Sequence, residues 1–152
     1  MWRQPRMSMV DVSDKPEILR EATATGTIKL KNKTIRLIKE GKVAKGDPFH
    51  TARIAGILAA KRTSSLIPLC HTLSLTTVGI DVKIEGKTRV KVTATVKAKA
   101  PTGVEMEALA ATATSLLTIW DMVKQYEKDA QGQYPSTSIE NIYVLKKVKK
   151  MS

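Results

Sequence analysis

Four short stretches of the chain combine residue types that can move protons or hold charge. The first is Leu66-Ile67-Pro68-Leu69-Cys70-His71-Thr72-Leu73, an apolar run with a thiol and an imidazole side by side. A histidine among apolar neighbours can be poised for proton transfer near neutral pH. The plain alternative is a histidine satisfied inside the core. Cys70 has no local activating signature, so it reads as a small buried side chain rather than a nucleophile. The second stretch, Gly103-Val104-Glu105-Met106-Glu107, places two carboxylates where a helical pattern opens. Acidic residues gain there from the helix dipole, and the free N–H groups of a first turn also suit polar ligands. The third, Asp121-Met122-Val123-Lys124, sets a carboxylate and an ammonium three residues apart. It reads either as a surface ion pair or as a lysine held by a carboxylate for acid–base work or phosphate anchoring. The fourth, Lys45-Gly46-Asp47, puts a lysine just ahead of a helix start, where it would suit a phosphate.

Other chemistries are excluded by what the sequence lacks. It has no Gly-x4-Gly-Lys-Ser/Thr loop and no dinucleotide-binding glycine fingerprint. With His50, His71 and one cysteine, neither a histidine-rich nor a four-thiolate metal site can form within one chain, and no intrachain disulfide is possible.

The elements that must position these residues follow from periodicity. Ile18 to Leu30 is rich in Thr and Ile and predicts a strand. Thr34 to Lys42 carries Ile35, Leu37 and Ile38 on one side and stops at Gly41, which predicts a short amphipathic helix. Asp47-Pro48 is a helix start, an N-cap carboxylate followed by a proline whose missing N–H costs nothing at the first position. The helix after it is slim in alanine and Gly56, so something can pack closely on it. Val78, Ile80, Val82 and Ile84, then Val90, Val92, Ala94, Val96 and Ala98, alternate with polar residues around Glu85-Gly86-Lys87 and predict a β-hairpin with one wet face. A long helix is expected from about Gly103 to Tyr126, with Met106, Leu109, Ala110, Ala113, Leu116, Leu117, Trp120 and Val123 as its apolar positions. Ile139 to Leu145 reads as a final strand. Strands and helices mix without regular alternation, which argues α+β, with helices on one face of a largely antiparallel sheet.

The chain of 152 residues fits one domain. Residues 1–8 read as a flexible leader, and 9–152 as a single catalytic domain ending in a basic tail. Arg3 and Arg6 are not followed by the apolar run of a secretory signal, and no stretch is long and apolar enough to span a bilayer, so the expected compartment is the cytoplasm. The formal charge of +12 suits an anionic partner.

The motifs are specific when taken together. Met9-Val10-Asp11-Val12-Ser13, Lys45-Gly46-Asp47, Thr51-Ala52-Arg53-Ile54-Ala55-Gly56-Ile57, Ala60-Lys61-Arg62-Thr63, Leu66-Ile67-Pro68-Leu69-Cys70-His71, Gly103-Val104-Glu105-Met106-Glu107-Ala108-Leu109 and Asp121-Met122-Val123-Lys124 resemble the MoaC family in order and spacing, from about Met9 to about Leu145. The resemblance implies a ferredoxin-like α+β subunit and a homohexamer, a trimer of dimers. It implies conversion of (8S)-3′,8-cyclo-7,8-dihydroguanosine 5′-triphosphate to cyclic pyranopterin monophosphate and pyrophosphate in molybdenum cofactor biosynthesis. By the same resemblance Asp121, Lys124 and Lys45 are catalytic, and Leu69, Cys70, His71, Glu105, Met106, Glu107 and Arg20 bind substrate. Lys147 is the candidate for a tail lysine contact. The resemblance implies no tightly bound cofactor and no protein-held metal, with Mg²⁺ arriving, if at all, on the triphosphate. No membrane or nucleic-acid partner is expected.

One geometric expectation is independent of the family. Glu107 and Asp121 are fourteen positions apart on one expected helix, roughly 21 Å. Both can serve one small substrate only if the site is shared between chains. The rival reading is a basic nucleic-acid-binding module using Arg89, Lys91, Lys97 and Lys99 on the wet face of the hairpin. Aromatic residues are 4% of the chain and do not interleave with a basic patch, which argues against single-strand stacking.

Overall fold

The computed structural model describes residues 6–151. Its elements run β1 (Ile18–Lys29), α1 (Asn32–Lys39), α2 (Pro48–Lys61), α3 (Thr63–Leu66), β2 (Leu75–Glu85), β3 (Arg89–Ala100), α4 (Glu105–Glu127) and β4 (Ser138–Lys150). The four strands form one antiparallel sheet in the order β2-β3-β1-β4, the ferredoxin-like arrangement expected from the resemblance.

Alternation in the central strands sets the two faces. Ala22, Ala24 and Ile28 of β1 and Val90, Val92, Ala94 and Val96 of β3 are fully buried, while Arg89, Lys91, Lys97 and Lys99 fall on the opposite face. The buried face carries α4 and α2. Ile28, Val90 and Val92 pack with Leu116, Ile119 and Val123 of α4, and Ala22, Ala24, Ala94 and Val96 pack with Ala108 and Ala111. At Gly26 a Cβ would lie 2.8 Å from Leu116 Cδ1, so the missing side chain lets α4 lie close on the sheet.

The slim α2 meets α4 as its composition predicted. A Cβ on Gly56 would sit 3.1 Å from the Ala111 carbonyl oxygen and collide with Ser115 Oγ. The Ser115 hydroxyl donates to the Ala52 carbonyl at 2.9 Å, closing the two helices together. Asp47 caps α2 as expected, its carboxylate accepting from the N–H groups of Phe49 and His50.

Three expectations need adjustment. The buried stripe of α4 is rotated from the one predicted. Ala108, Ala111, Thr112, Ser115, Ile119 and Met122 face inward, while Met106 and Leu117 are 42% and 58% exposed. Close packing against α2 favours the small residues, so the bulkiest residues do not mark the core side. The apolar run from Leu66 is not core either, since Leu66, Ile67 and Leu69 are exposed. The lysine-rich end is not a tail beyond a strand that stops at Leu145. β4 extends to Lys150, and Lys146, Lys147, Lys149 and Lys150 pair in register with Thr23, Ala22, Arg20 and Leu19 of β1. The expected leader falls mostly outside the described residues, and residues 6–8 belong to no helix or strand.

Candidate active site

Two groups of polar side chains gather at opposite ends of α4. At its first turn, a cleft of about 390 Å³ is lined by Leu69, Cys70, His71, Gly103, Glu105 and Met106, with Val10, Val12 and Lys15 from the segment before β1. Glu107 lies behind it, 3% exposed. Cys70 Sγ donates to Glu107 Oε2 at 3.9 Å, while Glu107 Oε1 has no hydrogen-bond partner among the described residues. An unpaired buried carboxylate oxygen is costly, and protonation lowers that cost. Burial accordingly raises the Glu107 carboxyl above the usual range, and the neighbouring Glu105 charge raises it further. Burial, followed by the nearby Glu107 charge, raises the Cys70 thiol. Cys70 is thus half-buried and un-ionised, close to the sequence reading of a non-nucleophile, but on the wall of a cleft rather than within the core.

His71 is half-buried, neither a core residue nor enclosed in an apolar pocket. Its Nε2 lies 2.6 Å from the Val10 carbonyl oxygen. A carbonyl only accepts, so Nε2 is the donor, and Nδ1 is the ring nitrogen left to exchange a proton. The Glu105 carboxylate folds back over Gly103. Glu105 also meets Lys147 Nζ at 3.7 Å, which brings the tail candidate to this end of the helix. Arg20 does not line the cleft. Its guanidinium donates to the Ala100 and Pro101 carbonyls at 3.3 and 3.1 Å, bracing the loop that leads into α4.

At the other end of α4, Lys124 Nζ lies 3.2 Å from Asp121 Oδ1. Lys45, from the loop before α2, donates to Asp121 Oδ2 at 3.4 Å and to the Asp121 backbone carbonyl at 3.0 Å. The two ammonium groups hold the Asp121 carboxyl below its ordinary range, the Lys124 hydrogen bond first and Lys45 second. All three side chains are open to solvent, as a phosphate-binding cluster requires. Helix α4 is continuous over its 23 residues, so this cluster and Glu107 are separated by roughly 21 Å.

Sequence reasoning missed three participants. Lys15 lines the cleft and lies two residues after the Met9–Ser13 motif, a position that could have drawn attention. Tyr126 Oη accepts from the Ala44 N–H at 2.8 Å, a contact that no spacing announces. Glu127 is fully buried and accepts from the Lys31 N–H, Thr34 Oγ1 and Thr137 Oγ1. Its signal was legible, because it falls on the stripe through Leu116, Ile119 and Val123. Among the described residues, no group of three His, Cys, Asp or Glu side chains is placed to hold a metal ion, and no helix is long and apolar enough to cross a membrane. On the open face of the sheet, Arg89, Lys91 and Lys97 meet Glu140, Glu85 and Glu21 at 3.6 to 3.9 Å, so the basic face of the rival reading is partly neutralised.

The chain matches known proteins along nearly its whole length. It is 57% identical to a protein of Saccharolobus solfataricus, over 93% of this chain and 94% of that protein. It is 53% identical to one of Pyrococcus horikoshii, over 94% and 89% of the two chains. It is 55% identical to one of Thermococcus onnurineus, over 94% and 91%. Each of these relatives bears the name "probable cyclic pyranopterin monophosphate synthase". The model of the MoaC family matches residues 9–150, and with this coverage the chain belongs to the MoaC family.

Proposed function

We propose that this protein is a cyclic pyranopterin monophosphate synthase of molybdenum cofactor biosynthesis, a lyase that converts (8S)-3′,8-cyclo-7,8-dihydroguanosine 5′-triphosphate to cyclic pyranopterin monophosphate and pyrophosphate. The observation that carries the reading is identity above 50% with synthase-named relatives over more than nine-tenths of the chain.

The two clusters suit the two halves of that chemistry. Opening the purine and closing the pterin moves several protons, which calls for acids and bases in reach. His71 with a free Nδ1, and Glu107 with a raised carboxyl, are such groups. They sit with Leu69, Cys70, Glu105 and Met106, where the base and sugar would bind. In the phosphate half, a ribose hydroxyl attacks the α-phosphorus as the bond to pyrophosphate breaks. Positive charge on the phosphates is the main requirement there. Lys124 and Lys45, both held on Asp121, supply it. Any Mg²⁺ would come as the counter-ion of the triphosphate.

A distance of roughly 21 Å along one rigid helix is too long for one small substrate to bridge within a subunit. The reading therefore includes a homohexamer in which each site takes the two ends of α4 from different subunits. The exposed Leu66, Ile67, Leu69 and Met106 beside the cleft support a subunit contact there. The cytoplasm is the proposed place of action, in keeping with a single thiol that no intrachain disulfide can use.

Pyrophosphate release and pterin fluorescence from the cyclic triphosphate test the activity, with Lys124→Ala beside the wild type. Absence of turnover by the folded wild type would refute it. Mixing Lys124→Ala with His71→Ala after dissociation and reassembly tests the sharing. A shared site predicts recovery toward about a quarter of wild-type sites, and mixtures as inactive as their components would refute it.

A further inference from the structure

We infer that Tyr126 is a positioning residue for Lys45: its phenol oxygen holds the backbone just before that lysine and so keeps the ammonium group on Asp121. The inference rests on the proposed assignment of Lys45, Asp121 and Lys124 to the phosphate half of the site.

Lys45 sits on the exposed link between α1 and α2. This link is poorly constrained by its own covalent geometry. Gly41 and Gly46, on either side of Ala44 and Lys45, both adopt positive φ, +67° and +118°, a region glycine enters without steric cost. Two local turns, Lys42 N–H to the Leu37 carbonyl at 2.9 Å and Gly46 N–H to the Val43 carbonyl at 3.1 Å, shape the link without tying it to α4. Val43 is buried in the core and anchors one side chain. The hold that reaches the residue next to Lys45 comes from Tyr126, where the Ala44 N–H donates to Oη at 2.8 Å. Among the described residues, the other side-chain bond to the backbone of this link is from the Thr51 hydroxyl to the Asp47 carbonyl, at the start of α2 and without reach to α4.

Tyr126 is well placed for that task. It lies in the last turn of α4, two residues after Lys124 and five after Asp121, so the carboxylate and the brace share one rigid element. Its ring packs against the core cluster that contains Val43, Met122 and Val123, which fixes the phenol from below. The Ala44 N–H is at the surface, where water can replace the phenol at little cost to folding. Stability alone therefore does not call for this bond. A displacement of about 1 Å in a reacting group, by contrast, costs up to 10²-fold in rate.

A double-mutant cycle on the full-length hexamer separates the possibilities, using Tyr126→Phe, Lys45→Ala and the double variant with the cyclic triphosphate as substrate. Tyr126→Phe keeps the ring and removes only the oxygen. The expected result is a fall in kcat of roughly three- to tenfold, with KM and the melting temperature nearly unchanged. In the Lys45→Ala background the same change should have no further effect, because the lysine it positions is gone. Full activity of Tyr126→Phe, or an equal loss in both backgrounds, would overturn the inference while leaving the role of Lys45 intact. Full activity of Lys45→Ala would overturn the assignment of Lys45 and the inference with it.

Discussion

Lys45 Nζ lies within hydrogen-bonding distance of both the carboxylate and the backbone carbonyl of Asp121, at 3.4 and 3.0 Å. A residue of the α1–α2 link is thereby fixed against the end of a helix 76 residues later, and Lys124 completes the cluster from the same helical turn. The arrangement leaves two cations and one carboxylate on an open surface. Exposed ion pairs contribute little to folding, and the role proposed for this cluster is to hold the phosphates of the substrate.

Asp121→Asn therefore separates function from stability. The substitution releases both lysines from the carboxylate and should lower kcat/KM by about 10²-fold or more. The melting temperature at neutral pH should move by no more than about 2 °C. Because the folded carboxyl titrates below its ordinary range, the small stabilisation it provides is present above the unfolded value near 3.9 and fades as the pH falls through the folded value. A large drop in melting temperature at pH 7 would show the cluster to be structural.

Glu107→Gln should stabilise the protein at neutral pH. The native carboxyl titrates above its ordinary range because it is buried. The native state thus favours the protonated form, and the stability this confers is present below the unfolded value near 4.3 and is lost as the pH rises through the folded value. Glutamine keeps the shape without the charge. Thermal melts at pH 4 and pH 8 should show the variant's advantage over wild type growing with pH, and activity should fall. A variant less stable than wild type at pH 8 would mean that Glu107 is satisfied as an anion.

Cys70 should alkylate slowly at pH 7.5, since burial and the Glu107 charge both keep its thiol protonated. Replacing Glu107 by glutamine removes the second cause, so the iodoacetamide rate profile should shift to lower pH. An unchanged profile in the variant would show that the Glu107 charge does not reach the sulfur.

Glu127→Ala addresses the buried clamp. It strands the Lys31 N–H and the Thr34 and Thr137 hydroxyls, all now bonded to one carboxylate. Urea unfolding should report a loss of roughly 3 kcal/mol or more. Glu127→Gln, which can still accept, should lose less. Equal losses in the two variants would assign the effect to packing rather than to hydrogen bonding.

Much of the molecule follows from local pattern. Strict alternation through β2 and β3, with Gly86 at φ +66° in the turn, can satisfy its apolar residues only as a hairpin over a core. Asp47-Pro48 starts α2 because the cap and the missing N–H act within one turn. The continuity of α4 follows from an apolar period without glycine or proline, and the separation of Glu107 from Asp121 follows in turn from the rise per residue.

Other features depend on which distant surfaces meet, which local pattern does not encode. The lysine-rich end becomes strand because the free edge of β1 lies beside it, and main-chain pairing there does not depend on side-chain polarity. The inward face of α4 is chosen by close approach to Gly56, which rewards the small Ala111 and Ser115, and by Gly26, whose missing side chain makes room for Leu116. Burial of Glu107 without a partner for Oε1, the Val10 carbonyl on His71, and Tyr126 beside Ala44 join residues that are from 37 to 82 positions apart. The residue types that can do chemistry are legible in the sequence alone. Their charge states and supports come from burial and from long-range contacts that exist only after the sheet, α2 and α4 have packed together.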